Sequence, residues 1–375
     1  MTKFDEVVPA HIRGLGGYAA GKPLKQAERE SGVKCIKMAS NENPFGPSPL
    51  AIAAIREAAT EVHLYPDNDA TELKVDLAAR NNLQPEQVLV TGGSTQFLDI
   101  IGRTLMAPGL NAITSERSFI VYPIAAKASG GELIQVPMNG DTFDLNAILA
   151  AIDENTRVVF IANPNNPTGT MLDPVSLDRF MDTVPNFVTV VLDEAYYDFA
   201  QHFAEKRGLE YSHSLDYVRQ GRNVVVLRTF SKAHGLAALR CGYGFGPAEL
   251  IKYFSKLRTA FSVSSVAEAG ALAALRDEEH IRKSLDNNTR GAAMLTRKLS
   301  EMGFRVVPTW TNFLYVEVGE DGVALANRMQ EEGIIIRPLK VWGAPNAIRV
   351  TVGTPEQNEK FLNALAQVTA HATVS

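Results

Sequence analysis

Short runs of apolar residues alternate with longer amphipathic stretches through the first two thirds of the chain. The runs include QVLVT (87–91), NAIT (111–114), RVVFIA (157–162), FVTVVLDE (187–194), NVVVLRT (223–229) and CGYGFG (241–246). Strands that are apolar throughout, without polar alternation, are typical of a parallel sheet covered on both faces. The pattern therefore predicts an α/β fold with a mostly parallel sheet between helices.

The pattern changes after about residue 260. Three later stretches predict helices, namely SSVAEAGALAAL, GAAMLTRKLSEMG and GVALANRMQEEG, whereas FRVVPT, NFLYVEV, IIIRPL and AIRVTVG predict short strands. The Pro- and Gly-rich stretch 43–49 would be the crossover between two units. We therefore expect a large domain over residues 45–260. A smaller α+β domain is expected from residues 1–44 together with 261–375.

Composition and charge exclude several kinds of ligand and partner and indicate the cellular compartment. Hydrophobic residues make up 45% and charged residues 21% of the 375 positions, which is ordinary for a soluble globular protein. A formal net charge of −5 argues against nucleic-acid binding. Cys35 and Cys241 lie in no zinc-type spacing, which argues against a metal site or disulfide framework and favours a reducing compartment. With no signal-peptide pattern and no membrane-length apolar run, we expect a cytoplasmic protein without a membrane partner.

Candidate chemistry follows the strands, because ligands of an open parallel sheet bind at the carboxyl ends of its strands. After QVLVT comes GGSTQ, in which Ser94, Thr95 and Gln96 open a predicted helix. The N–H groups and positive dipole end of a helix start favour a phosphate. The same residues also suit a plain turn followed by a helix cap, so this stretch by itself does not distinguish a phosphate site from a turn.

Two further strands end in polar side chains. RVVFIA is followed by NPNNPTG, where the Asn-Pro steps interrupt regular structure and hold Asn166 at a strand end. FVTVVL is followed by DEAYYDF, which puts Asp193 next to a buried run, with Tyr196 three residues later. A buried carboxylate needs a cationic partner. A proline-rich turn and a capping acid are the alternatives for these two stretches.

Lys232 follows the next strand, in TFSK. A lysine at a strand end is usually a solvated charge. Here it would share one sheet edge with a phosphate cradle, an amide and a carboxylate. Pyridoxal phosphate requires this combination, because it has a phosphate, a phenolate oxygen, a pyridinium nitrogen and an aldehyde that a lysine captures as a Schiff base.

The chain resembles the fold-type-I, class I/II aminotransferases, and within them the histidinol-phosphate aminotransferase group. The stretches that carry the resemblance are MASNENPFGPSP (38–49), LYPDNDATELKVDLA (64–78), NPNNPTG, DEAYYDF, TFSKAHGLAALRCGY (229–243) and IRVTVGT (348–354). They extend over nearly the whole chain. The resemblance implies the pyridoxal-phosphate-dependent transferase fold type I, with a mostly parallel seven-stranded sheet in the large domain.

The resemblance also implies roles for the cofactor residues. Lys232 would form the Schiff base and move the proton, Asp193 would pair with the pyridinium nitrogen, and Asn166 and Tyr196 would hydrogen-bond the phenolate oxygen. The residues implied to cradle the phosphate are Ser94, Thr95, Gln96, Thr229, Ser231 and Arg240. Phe119 would stack on the cofactor ring. Tyr65, in LYPD, would reach the phosphate of the neighbouring subunit, which implies a homodimer with sites at its interface.

Four residues are implied for substrate binding. Arg349 matches the arginine that takes the α-carboxylate of an amino acid, by a bidentate fork. Tyr18, Asn41 and Arg337 match positions that line the side-chain pocket. Arg337 with Tyr18 could hold a phosphate. The chain departs from the group at two places, with GGSTQ in the phosphate cradle and RSF (117–119) in place of Pro-Thr-Tyr. These departures leave the cofactor prediction intact but weaken the assignment to histidinol phosphate.

The resemblance predicts ping-pong amino transfer between histidinol phosphate and 2-oxoglutarate, with glutamate and 2-oxoglutarate as the common pair. An aromatic pocket of Phe119, Tyr122 and Trp342 is the alternative, and it favours phenylalanine and tyrosine. A decarboxylase of the threonine-phosphate type would keep every cofactor residue and is a further alternative. A nicotinamide dehydrogenase would need GxGxxG between an early strand and helix, which GYGFG does not supply.

Overall fold

The computed structural model describes residues 4–17 and 21–370. Its centre is a seven-stranded sheet. Across the sheet the strands run in the order Val88–Thr91, Gly242–Phe245, Val224–Thr229, Thr189–Asp193, Thr156–Ala162, Asn111–Ser115 and Glu132–Val136. Gly242–Phe245 is antiparallel to both neighbours, and the other strands are parallel. This confirms the predicted α/β class and the mostly parallel seven-stranded sheet.

Six of these strands coincide with the predicted apolar runs. The seventh, Glu132–Val136, lies at the edge of the sheet, where its first four residues are exposed or half-buried. Its sequence, ELIQV, has polar residues at the two exposed positions and so no continuous apolar run, which is why the hydrophobic pattern did not predict it.

Helices cover both faces of this sheet and bury its side chains in one large core. The helices of this part are Pro49–Ala58, Thr71–Arg80, Ser94–Leu105, Tyr122–Lys127, Leu145–Ala151, Pro174–Thr183, Tyr197–Arg207, Ser214–Arg219, Ala248–Leu257 and Ser265–Arg276. A two-stranded hairpin, Met138–Asn139 with Thr142–Phe143, lies beside them. In the described part of the chain, no helix is both long enough and apolar enough to cross a membrane.

A second core lies in the C-terminal part. It packs around a four-stranded antiparallel sheet in the order Arg305–Val306, Phe313–Glu317, Ala347–Thr351, Arg337–Pro338. Its helices are Glu278–Glu301, Gly322–Glu331 and Pro355–Ala370. The N-terminal strand Ile36–Lys37 pairs in parallel with Ile334–Ile335, after the short helices Ala10–Arg13 and Leu24–Ser31.

The domain limits at residues 45 and 260 stay a prediction. Helix Ser265–Arg276 packs against Pro49–Ala58 and contributes its buried face to the larger core. Residues 38–43 run between the two cores, since Met38 is buried in the second core and Asn43 donates to Ala233 O in the first part. The described residues 38–41 thereby lie close to the carboxyl ends of the large sheet.

Candidate active site

The parallel strands end at one edge of the sheet because their register aligns them. Asp193 pairs with Ala162 on one side and with Leu227 on the other, and Thr229 is opposite Gly242. A cavity of about 610 Å³ lies at this edge. It is closed from the other side by residues of the small antiparallel sheet, so it lies between the two cores.

Lys232 projects into this cavity from the loop after strand Val224–Thr229. Its Nζ donates to Ser40 O at 3.3 Å and lies 5.6 Å from the centroid of the Tyr196 ring. Burial, with the positive charges of Arg349 and Arg240, lowers the pKa of Lys232 to about 8. The amine is therefore half neutral near pH 8, which makes it a better nucleophile and base than an exposed lysine.

Asp193 is the buried acid of the site. One of its oxygens accepts the Tyr122 hydroxyl at 3.1 Å, and the other accepts the N–H of Ala195 at 3.2 Å. Burial raises the pKa of Asp193 to about 6, while these two hydrogen bonds act in the opposite direction. The carboxyl group is therefore mainly ionised at neutral pH and available to a cationic ring nitrogen.

Asn166 and Tyr196 lie on the facing walls of the same cavity. The Asn166 carbonyl accepts from Arg349 Nη1 at 2.5 Å, so its amide group is oriented by a buried guanidinium. The Tyr196 hydroxyl accepts from the Asn41 amide at 2.8 Å. A phenol that accepts one hydrogen bond can also donate one, so this hydroxyl suits a partner such as a phenolate oxygen.

A polar cradle forms where helix Ser94–Leu105 begins. The helix starts after Gly93 without a side-chain cap, so its first turn offers backbone N–H groups to an anion. Gly93 has φ of +89°, and a Cβ there would lie 2.6 Å from Arg240 Nη2, so the guanidinium packs directly over this glycine. Arg240 Nη1 donates to Ser231 Oγ at 3.3 Å, and Thr229 Oγ1 donates to the same oxygen at 3.0 Å.

Two arginines of the small sheet face the cavity together. Arg337 and Arg349 are register partners on adjacent antiparallel strands. Their guanidinium carbons lie 5.2 and 5.9 Å from the centroid of the Trp342 ring. Like charges opposite each other on a sheet are unfavourable in the absence of a counter-ion. This wall of the cavity is therefore suited to a ligand with two negative charges.

Most of the predicted site residues line the cavity. They are Asn41, Ser94, Thr95, Phe119, Asn166, Asp193, Tyr196, Thr229, Ser231, Lys232, Arg240, Arg337 and Arg349. Gln96 does not line it, because its side-chain oxygen turns back to accept the N–H of Gly92 at 2.7 Å. The Tyr65 side chain is 84% exposed on the surface and stacks on Phe261. Tyr18 lies outside the described residues.

Two side chains have surroundings that the sequence did not predict. The Asn41 amide is buried between Tyr196 and Thr351. The Thr351 hydroxyl donates to the Asn41 oxygen at 3.1 Å, and the Asn41 nitrogen donates to the Tyr196 hydroxyl, so Asn41 orients the Tyr196 phenol. Tyr122 is wrongly predicted as a wall of an aromatic pocket. It is fully buried, behind Phe119, with its hydroxyl on Asp193.

These donors fit pyridoxal phosphate. A cradle of N–H, hydroxyl and guanidinium groups that a Cβ at position 93 would obstruct suits a phosphate. A buried carboxylate, two hydrogen-bonding groups and a lysine with lowered pKa suit the ring nitrogen, the phenolate oxygen and the aldehyde. Phe119 supplies an aromatic surface in the same cavity.

Comparison with known proteins agrees with this chemistry. The model of the family described as aminotransferase class I and II matches residues 33–365. Histidinol-phosphate aminotransferase 2 of Pseudomonas fluorescens strain Pf0-1 is 44% identical over 362 residues, which cover 96% of each chain. Histidinol-phosphate aminotransferase of Moorella thermoacetica is 42% identical over 363 residues, 96% of this chain and 92% of that one.

A solved structure is similar over the same length. The histidinol-phosphate aminotransferase of Sinorhizobium meliloti, in complex with pyridoxal-5'-phosphate, superimposes with a TM-score of 0.88. It is 29% identical, and the match covers 97% of this chain and 98% of that one.

Proposed function

Because this chain belongs to the family of class I and II aminotransferases, we propose that it moves an amino group between histidinol phosphate and 2-oxoglutarate. Glutamate is the product of one half of the ping-pong reaction. The chain is a pyridoxal-phosphate-dependent transaminase, and its relatives carry the name of this substrate.

One observation carries the choice of substrate, namely the register pair of Arg337 and Arg349 in the cavity wall. Histidinol phosphate has a phosphate group with up to two negative charges, and 2-oxoglutarate has two carboxylates. Either can neutralise two guanidinium groups by charge-assisted hydrogen bonds. Phenylalanine has one carboxylate and would bring an apolar ring close to the second arginine. A ring in this position would take water away from a guanidinium group without supplying a negative charge, which is unfavourable.

Different residues of the cavity would bind different parts of the cofactor. When bound, pyridoxal phosphate supplies an aldehyde that captures amino groups and a ring that delocalises negative charge from the substrate carbon. Ser94, Thr95, Ser231 and Arg240 would hold its phosphate. Asp193 would keep its ring nitrogen protonated, with Asn166 and Tyr196 at its phenolate oxygen.

Lys232 would carry the proton. With a pKa near 8 its amine can take a proton from the substrate carbon and return it at neutral to slightly alkaline pH. The cavity wall of Phe119 and Trp342 would limit the entry of water, and the indole N–H is held by Ser118 O at 3.0 Å.

A half-reaction tests the substrate. The cofactor-loaded protein is mixed in turn with histidinol phosphate, glutamate, phenylalanine or tyrosine, and loss of its visible absorbance is followed. We expect histidinol phosphate and glutamate to react with kcat/KM about 100-fold above the aromatic amino acids, since the latter bring one negative charge to a wall with two guanidinium groups. Faster reaction with phenylalanine or tyrosine would contradict the proposal. Carbon dioxide release from O-phosphothreonine would instead indicate the decarboxylase.

We also propose that two copies of the chain form a homodimer. Tyr65 stacks on Phe261 with ring centroids 4.7 Å apart, and Val62, Leu64 and Tyr65 are each more than half exposed. An apolar cluster of this kind on a surface is typical of an interaction site. A second copy would bury this cluster and bring Tyr65 to the phosphate of the neighbouring cavity.

We further propose that the protein is cytoplasmic. Cys35 and Cys241 are both buried free thiols, which suits a reducing compartment.

Sedimentation equilibrium tests the dimer. We expect twice the chain mass of 40.8 kDa at micromolar concentration. Tyr65→Phe should raise the dissociation constant of pyridoxal phosphate about tenfold without dissociating the dimer, because the phosphate loses one hydrogen-bond donor. Tyr253→Phe, a change at another exposed tyrosine, serves as control. A fully active monomer would refute this proposal.

A further inference from the structure

Asp193 has a hydrogen-bond partner that is neither cofactor nor substrate. Tyr122 begins the short helix Tyr122–Lys127, and its hydroxyl reaches one oxygen of Asp193 at 3.1 Å. The second oxygen is held by the N–H of Ala195. Each carboxylate oxygen can accept two hydrogen bonds. The carboxylate is therefore fixed at both oxygens and keeps acceptor capacity for a ring nitrogen.

The position of the Tyr122 hydroxyl is set by packing on its ring. The ring lies parallel to Phe160, with centroids 4.9 Å apart and planes 7° apart. Its edge meets Phe119 at 5.7 Å and 85°. Contacts on a face and an edge leave a fully buried ring little rotational freedom. Phe119 lines the cavity, and Tyr122, three residues later, contacts Asp193, so this short segment connects the cavity wall to the buried carboxylate.

The charges around this pair determine which group keeps the proton. Besides Tyr122, the groups that interact with Asp193 are Glu194, Tyr211 and Lys232, and Tyr196 interacts with Tyr122. The charge of Glu194 is compensated by Arg228 at 2.8 Å. Burial and the Asp193 carboxylate raise the pKa of Tyr122 well above its ordinary value. The phenol therefore keeps its proton and donates to Asp193 over the whole working pH range.

We propose that Tyr122 is a positioning residue, whose hydroxyl holds the Asp193 carboxylate oriented and ionised for the ring nitrogen of the cofactor. The inference rests on the proposed function only through the cofactor and is independent of the identity of the amino donor. Tyr122 acts through Asp193 and touches neither substrate nor the reacting atoms.

Tyr122→Phe tests this role, because it removes the hydroxyl and keeps the stacked ring. The variant carboxylate should be a stronger base and hold the ring proton itself more often. With less positive charge on the ring nitrogen, the midpoint of the pH-dependent visible absorbance should rise by about one pH unit. The ¹⁵N chemical shift of labelled cofactor should move toward the neutral ring. The dissociation constant of pyridoxal phosphate should rise about tenfold.

Tyr217→Phe is the matched control. Tyr217 is also a buried tyrosine that donates to an aspartate, Asp178, but it lies outside the cavity. It should leave the absorbance midpoint and the ¹⁵N shift unchanged. In an Asp193→Asn background, Tyr122→Phe should have no further effect on either readout. An unchanged midpoint and ¹⁵N shift in Tyr122→Phe would show that Tyr122 only packs the core, and would overturn the proposal.

Two further measurements keep the test decisive. If Tyr122→Phe does not fold, Phe160→Leu, which removes the stacked ring beneath Tyr122, should move the midpoint in the same direction by less. No shift in Phe160→Leu would then count against the role. If the wild-type protein binds pyridoxal phosphate but does not react with histidinol phosphate, the substrate proposal fails while these readouts remain interpretable.

Discussion

Replacing Lys232 with alanine is expected to abolish amino transfer, with a loss in kcat of about 10⁴-fold or more. In the proposed mechanism the side chain both captures the cofactor aldehyde and moves the proton, so its removal would take away two functions at once. Its surroundings support this role, because Nζ lies in the cavity and its pKa is lowered to about 8. The visible absorbance that depends on the bond between lysine and cofactor should disappear with the activity.

Lys256→Ala is the control for the lysine variant. Lys256 is an exposed lysine of helix Ala248–Leu257, outside the cavity. Its replacement should leave both the absorbance and kcat unchanged. If Lys232→Ala retained either the visible band or turnover, another group would have to form the bond, and the assignment of Lys232 would be wrong.

Arg337→Ala is expected to lower kcat/KM for histidinol phosphate by about 100-fold or more, and for phenylalanine by less than about threefold. The difference follows from charge, since the phosphate can bind both guanidinium groups whereas a single carboxylate needs only Arg349. Because Arg337 lies opposite Arg349 in register, its removal also relieves a repulsion between like charges, so we expect no loss of stability from this term. Rates of the two half-reactions measure the effect.

Arg305→Ala is the matched control for this variant. Arg305 belongs to the same antiparallel sheet, but its guanidinium pairs with Asp141 and Glu317. We expect no change in the preference between the two amino donors. Equal losses for histidinol phosphate and phenylalanine in Arg337→Ala would mean that this arginine does not recognise the phosphate, and Arg349 would then have to bind it by itself.

Much of this site could be predicted from the chain because several of the proposed cofactor residues lie at the end of a buried strand or in the loop after it. Asn166, Asp193 and Lys232 come after runs whose apolar character is dictated by burial on both faces. Parallel strands place such residues at one edge whatever the details of packing. Local sequence therefore determined the cofactor residues and the sheet that carries them.

Side-chain direction could not be predicted in the same way. Gln96 lies in the same GGSTQ stretch as Ser94 and Thr95, yet its side chain turns back to Gly92. Tyr122 follows Phe119 by three residues, yet it enters the core and reaches Asp193. Adjacent residues with the same apparent role thus have different partners, because packing of the surrounding elements selects the rotamer.

The sequence by itself determined the α/β class and the cofactor and predicted the lysine, since these depend on burial and on residues close along the chain. Only the tertiary structure decided that Arg337 faces Arg349, that Asn41 holds Tyr196 and that Tyr122 holds Asp193. The partners in the last two contacts lie 155 and 71 positions apart. The first contact arises where the segment between the two cores meets the sheet edge, and the second arises within the larger core. No local hydrophobic pattern encodes either of them.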